Sequence, residues 1–317
     1  MQYAKRQVML RLLPLTLILL TLAACSGFKN GVYDMAMGLE RRGADLEPAT
    51  LHVDGFDIAL LESRDRGERP TLVLVHGFAT SKEIWLRFSR QLKKDFNIIA
   101  IDLPGHGESS KRMDKDYSIP SQVGYLRAIL SEMAVDAPHL AGNSMGGAIV
   151  SLYAARYPDS VASITLFNPA GIHTHESELM RLLARGENPL IVENSRDYKQ
   201  MMDFTMEQKP FLFWPITSVL TEKAIFNRLI NEKIFKDMRR DEEEAFEDVL
   251  TAIKVPALIV WGRHDRVINV ENGRVFDDLI SDSRLVILEE VGHAPMLETP
   301  EASALLMGDF VLNCSGH

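Results

Sequence analysis

Ser144 stands in Gly142-Asn143-Ser144-Met145-Gly146-Gly147, between the apolar run Pro138-His139-Leu140-Ala141 and the small, apolar stretch Ala148-Ile149-Val150-Ser151-Leu152-Tyr153-Ala154-Ala155. A serine with glycine two residues to either side is what a strand–turn–helix nucleophile elbow requires, because the turn is strained and its strand and helix pack without room for a Cβ. A free serine hydroxyl is a weak nucleophile at neutral pH, so it needs a base and a group that orients the base. Asp265, in Trp261-Gly262-Arg263-His264-Asp265, and His293, in Val291-Gly292-His293, are the candidates. In this reading His293 takes the serine proton and later protonates the leaving group. Asp265 fixes the imidazole tautomer. The oxyanion of a tetrahedral intermediate needs donors, and two backbone N–H groups are placed for it: that of Met145, just after the nucleophile, and that of Phe78, after His76-Gly77. The side chains of Phe78 and Met145 are then free to line an acyl pocket.

These residues need elements that bring them together. Leu51-His52-Val53 and Ile58-Ala59-Leu60-Leu61, joined by Asp54-Gly55, predict a β-hairpin at a sheet edge. Thr71–Val75, Phe96–Ile101, Ser163–Phe167, Val255–Trp261 and Arg284–Leu288 predict strands buried on both faces. Helical stretches alternate with them, around Ile84–Leu92, Ile119–Met133, Glu271–Leu279 and from Pro300 toward Leu312. Alternation of this kind predicts an α/β fold with a mostly parallel, doubly wound sheet. Ser144, Asp265 and His293 each follow a predicted strand, so all three converge on the edge where such sheets carry their sites. The core is expected over residues 51–171 and 254–317. Residues 172–253 hold no convincing long strand and are rich in helix formers, charges, methionines and aromatics, which predicts a helical cap inserted after the sixth strand. Met201, Phe204, Phe211 and Trp214 are its candidate substrate-binding residues, and the Phe211–Trp214 stretch also suits a bilayer interface.

The N-terminus carries Lys5, Arg6 and Arg11, an apolar run from Leu12 to Leu22, and then Leu22-Ala23-Ala24-Cys25. The run is short for a membrane span, and the order of regions is that of a secretory signal. Its end resembles a bacterial lipobox, which implies a lipoprotein signal peptide over residues 1–24 and lipidation of Cys25; the mixed charged and small residues from Phe28 to about Pro48 then read as a tether, over residues 25–50, with one amphipathic turn near Tyr33–Leu39. Lipidation would hold the protein at the bacterial cell envelope, at the outer membrane rather than the inner, facing periplasm or exterior. Loss of residues 1–24 moves the net charge from −9 to about −12, which disfavours nucleic acid as a partner. With Cys25 lipidated, Cys314 has no cysteine to pair with. His173, His175 and Glu176 are too few for a metal site, and the chemistry calls for no cofactor. The oligomeric state is left open.

From about Gly55 to Val311 the chain resembles α/β-hydrolase-fold lipases and esterases. The resemblance rests on the elbow, on His76-Gly77-Phe78, on Asp102-Leu103-Pro104-Gly105-His106-Gly107, on Asn168-Pro169-Ala170-Gly171, on Trp261–Asp265 and on Val291-Gly292-His293-Ala294-Pro295. Within that fold it is most similar to the cold-active bacterial lipases of the Moraxella and Psychrobacter type and to the membrane-anchored monoacylglycerol lipases of animals. This implies a carboxylic ester hydrolase acting through an acyl-enzyme on Ser144, with a lipid-like ester as substrate: a monoacylglycerol or a short to medium acyl ester. Carbon–carbon bond hydrolases share the elbow and are the alternative, as is a catalytically idle envelope binding protein on the same fold.

Overall fold

The computed structural model describes residues 27–239 and 245–314; the signal segment 1–24 and Cys25 lie outside the described residues. The parallel strands are continuous apolar runs because the sheet is covered on both faces. In β3 (Thr71–Val75), Val73 and Val75 join one buried cluster while Leu72 and Leu74 join another. In β4 (Asn97–Ile101), Ile99 and Ile101 alternate with Ile98 and Ala100 in the same way. Successive side chains of a strand point to opposite faces, so each face needs its own apolar set.

The sheet is completed by β1 (Leu46–Val53), β2 (Phe56–Ser63), β5 (His139–Asn143), β6 (Ser163–Phe167), β7 (Ala257–Gly262) and β8 (Ser283–Leu288). Its order is β1-β2-β4-β3-β5-β6-β7-β8. The hairpin β1–β2 and the pair β2–β4 are antiparallel, and every other pair is parallel. The α/β doubly wound architecture is therefore present, with β1 as an edge. Helices α3 (Ile119–Glu132) and α4 (Met145–Arg156) cover one face; α2 (Leu86–Leu92) and, at the C-terminus, α12 (Pro300–Cys314) cover the other. Helix α4 is buried from Met145 to Ala154, as expected for a helix that is apolar all round.

Two boundaries differ from expectation. Residues 27–44, expected within a tether, form a helix, α1. Tyr33, Ala36 and Met37 lie one helical turn apart and pack with Ile216 and Val219 of α7 (Ile216–Phe226), while Arg41 pairs with Glu83. Tertiary packing extends this helix beyond the amphipathic turn expected near Tyr33–Leu39.

The excursion after β6 contains α5 (Glu178–Ala184), α6 (Ser195–Thr205), α7, α8 (Arg228–Asp237) and α9 (Phe246–Ala252). The last of these packs against α4 and α10 (Asn272–Leu279), and its Val249 and Leu250 belong to the main core. The excursion therefore rejoins the core before residue 253.

Candidate active site

The turn from β5 into α4 places Ser144 at φ 54° and ψ −117°, a conformation that costs a side-chain-bearing residue about 1–3 kcal/mol. Hydrogen bonds hold it there. The Ser144 N–H donates to the Phe167 carbonyl at 3.0 Å, and its own carbonyl accepts from Ala148 at 3.1 Å and Ala170 at 3.0 Å. The flanking glycines are needed for close approach. A Cβ on Gly142 would lie 2.2 Å from the Gly146 carbonyl oxygen, and one on Gly146 would lie 2.4 Å from that of Val75. Ser144 is half-buried at the mouth of this turn.

Asp265 and His293 meet across the loops that follow β7 and β8. His293 Nδ1 is 2.8 Å from Asp265 Oδ2, and both side chains are buried. Asp265 Oδ1 accepts from the N–H groups of Val267 (2.8 Å) and Ile268 (3.0 Å), and Oδ2 also accepts from Asn168 Nδ2 at 2.6 Å. Every lone-pair direction of the carboxylate is thus engaged, so its orientation toward His293 is fixed.

The two strand ends are stitched by asparagines. Asn168, at φ 45° after β6, also donates to the Gly292 carbonyl at 3.2 Å. Asn143, beside the serine, donates to the carbonyls of Phe167 (3.0 Å) and His293 (3.1 Å).

The loop after β3 carries the other expected donor. Because the Leu103 N–H donates to His76 Nε2 at 3.1 Å, the His76 proton sits on Nδ1 and is donated to the Gly77 carbonyl at 2.7 Å. Thr80 Oγ1 donates to the same carbonyl at 3.0 Å. In a trans peptide the N–H points opposite the C=O, so pinning the Gly77 carbonyl also directs the Phe78 N–H. A Cβ on Gly77 would lie 3.3 Å from Ser144 Cβ, which puts this loop against the serine. The Met145 N–H lies in the first turn of α4, where orphan donors and the helix dipole favour negative charge.

Beneath the loop, Lys82 Nζ is buried 2.7 Å from Asp102 Oδ2 and 2.6 Å from Glu108 Oε2. Asp102 also accepts from the N–H groups of Lys82 (2.6 Å) and Glu108 (2.8 Å). Burial alone would raise the Asp102 carboxyl, but Lys82, His76 and these hydrogen bonds hold it below its ordinary value. Burial lowers His76, and it pushes His106 down to about 3, so both stay neutral at physiological pH and serve as packing and hydrogen-bonding groups.

The substrate-binding expectations divide. Phe204 joins the same buried cluster as Met145, and Phe78 packs against that cluster. Met201 is half-buried and lies one turn before Thr205, whose hydroxyl donates to its carbonyl. Phe211 and Trp214 are exposed. Trp214 instead lines a groove of about 730 Å³ between α6 and α7, whose walls include none of Ser144, Asp265 and His293. Among cap residues, Phe235 of α8 is brought to the loop after β3, its ring centroid 5.4 Å from that of Phe78.

Sequence reasoning missed Glu298, at the end of the short helix α11 (Pro295–Glu298). Its buried carboxylate accepts from the N–H groups of Gly292 and Ala294 on either side of His293, and from Glu207 and Gln208 in the cap. The His293 N–H donates to the Thr205 carbonyl at 2.8 Å and Gln208 Nε2 to the Glu290 carbonyl at 2.9 Å, so cap and histidine loop are tied at several points. Glu298→Gln turns one acceptor oxygen into a donor facing N–H groups. We expect it to lower unfolding stability by about 2 kcal/mol or more, measured by urea titration, with a fall in kcat. Unchanged stability and kcat would show that the tie is dispensable.

With the geometry in hand, the chain can be compared with known proteins. The α/β hydrolase fold family matches residues 70–300. Lipase 1 of Psychrobacter immobilis is 32% identical over 267 residues, covering 84% of each chain. A monoacylglycerol lipase of Mus musculus is 28% identical over 282 residues, covering 86% of this chain and 84% of its own. The crystal structure of a membrane phospholipase A described as a bacterial virulence factor superposes with a TM-score of 0.90 at 36% identity, covering 95% of this chain and 98% of that one. The chain belongs to the α/β hydrolase fold family, and within it is a carboxylic ester hydrolase.

Proposed function

We propose that this hydrolase cleaves lipid-like carboxylic esters through an acyl-enzyme on Ser144. Ser144 Oγ attacks the ester carbonyl while His293 Nε2 takes its proton, and the oxyanion is held by the N–H groups of Phe78 and Met145. The same proton passes to the leaving alcohol oxygen as the C–O bond breaks. Water then attacks the acyl carbonyl, giving its proton to His293, and Ser144 Oγ leaves with that proton as the acid departs. The observation that carries this reading is the 2.8 Å bond from His293 Nδ1 to Asp265, in a loop tied by Asn143 to the elbow that holds Ser144 at φ 54°.

Monoacylglycerols and short to medium acyl esters are the proposed substrates, in line with the lipase relatives. The cap over Phe78, with Phe204 and Phe235, selects the acyl group. Residues 1–24 are proposed as the signal peptide and lipidated Cys25 as the anchor at the cell envelope, at its outer membrane. Among the described residues no helix is long and apolar enough to cross a membrane.

An ester panel graded by acyl length and by glyceride class, with a ring-cleavage dienone included, tests the substrate assignment. Preference for monoacylglycerol or short to medium acyl esters is expected. Faster turnover of the dienone would overturn it in favour of carbon–carbon bond hydrolysis.

A further inference from the structure

Four aromatic side chains outside the site are gathered where α1 meets the cap. Phe28 is 60% exposed, Phe211 82%, Phe213 48% and Trp214 66%. The Phe28 and Trp214 ring centroids are 6.5 Å apart. Next to them in sequence, a small buried cluster of Tyr33, Ile216 and Val219, with Leu212 packed against it, fixes α1 to α7. Single exposed apolar residues are ordinary, whereas large aromatics grouped on one surface mark an interaction site.

The position of this group in the chain indicates its partner. Residues 27 and 28 open the described structure, and the apolar run Leu12–Leu22 and Cys25 immediately precede them in sequence. Any membrane attachment through that segment therefore reaches the fold beside Phe28 and Trp214. Lys29 is paired with Glu222, Lys199 and Lys209 share Asp203, and Lys223 lies over the Tyr33 ring, so what the patch offers a bilayer is aromatic surface rather than a dense cluster of free cations for anionic headgroups. Aromatic rings with a polar edge, such as the Trp214 indole, suit the depth of lipid headgroups.

We propose that Phe28, Phe211, Phe213 and Trp214 form a docking surface for a zwitterionic lipid bilayer, which seats the cap on the membrane. The inference rests on the reading of a membrane-held enzyme for lipid esters and adds to it the face that meets the lipid.

The chain supplies its own reporter. It has three tryptophans, and Trp85 and Trp261 are fully buried, which leaves Trp214 as the accessible fluorophore. The full chain is bound to phosphatidylcholine vesicles with or without brominated acyl chains. Brominated lipid is expected to quench the emission, at low and high salt alike, and Trp214→Phe is expected to abolish the quenching while still sedimenting with the vesicles. Replacing both Phe28 and Phe213, exposed members of the patch, by Ser is expected to slow hydrolysis of vesicle-held monoacylglycerol on the order of tenfold, with hydrolysis of a water-soluble short-chain ester unchanged.

Vesicle-bound protein that is not quenched, or equal quenching in Trp214→Phe, overturns the proposal. So does a solution dimer that the double variant dissolves in the absence of quenching, since the patch would then face a second copy. Failure to hydrolyse any ester would sink the proposed function and leave the quenching result standing.

Discussion

Ser144→Ala is expected to lower the rate of ester hydrolysis by at least about 10⁴-fold, with stability close to that of the parent. The substitution removes one hydroxyl and leaves the backbone bonds to Phe167, Ala148 and Ala170 in place, so the elbow keeps its shape. What remains is the binding cleft and its oxyanion donors, which can assist water but cannot form an acyl-enzyme. Single-turnover kinetics on a chromogenic short-chain ester, alongside thermal unfolding, measure both halves. Activity within tenfold of the parent would remove Ser144 as the nucleophile. A collapsed melting temperature would mean that the loss reports on folding instead.

Asp265→Asn is expected to cost about 10⁴-fold in kcat while altering KM little. The substituted amide can still present an oxygen to the N–H groups of Val267 and Ile268. Its NH₂ then faces Asn168 Nδ2 and His293 Nδ1, where the carboxylate oxygen accepts from both. The imidazole responds by carrying its proton on Nε2, the nitrogen that has to receive the proton of Ser144. Two donors facing each other in a buried site also cost about 1–3 kcal/mol of stability. Steady-state kinetics at neutral pH and urea unfolding separate the two effects. A kcat near that of the parent would assign His293 orientation to another group.

Much of the sheet was legible because it follows from periodicity and chemistry within short windows. The runs at Thr71–Val75 and Asn97–Ile101 must be covered on both faces, and the glycines around Ser144 admit a tight turn and little else. Of helix α1 only the amphipathic turn near Tyr33–Leu39 was legible, since the rest of its stability comes from Ile216 and Val219, far away in sequence. The same is true of α9, whose membership of the core depends on packing against α4.

Composition identified Phe211 and Trp214 as apolar but carried no information on which way they face, and the fold turns them outward. Asn168 stood out only as part of the Asn168–Gly171 motif, with no sign of its partner, and Glu298 not at all. Their contacts span 97 residues to Asp265 and 91 to Glu207, and only the closed fold brings those partners within hydrogen-bonding distance. His76 stood in the sequence only as the first residue of His76-Gly77-Phe78, and its tautomer follows from the Leu103 N–H that donates to it across the fold.

The central claim is that one serine, strained at the end of β5, is the nucleophile. Reaction of the folded protein with a fluorophosphonate, followed by peptide mass spectrometry, tests it most directly. The account predicts a single phosphonylated residue, Ser144, formed in step with loss of ester hydrolysis and absent from His293→Ala. Labelling at another residue, or full inactivation with Ser144 unmodified, would contradict it.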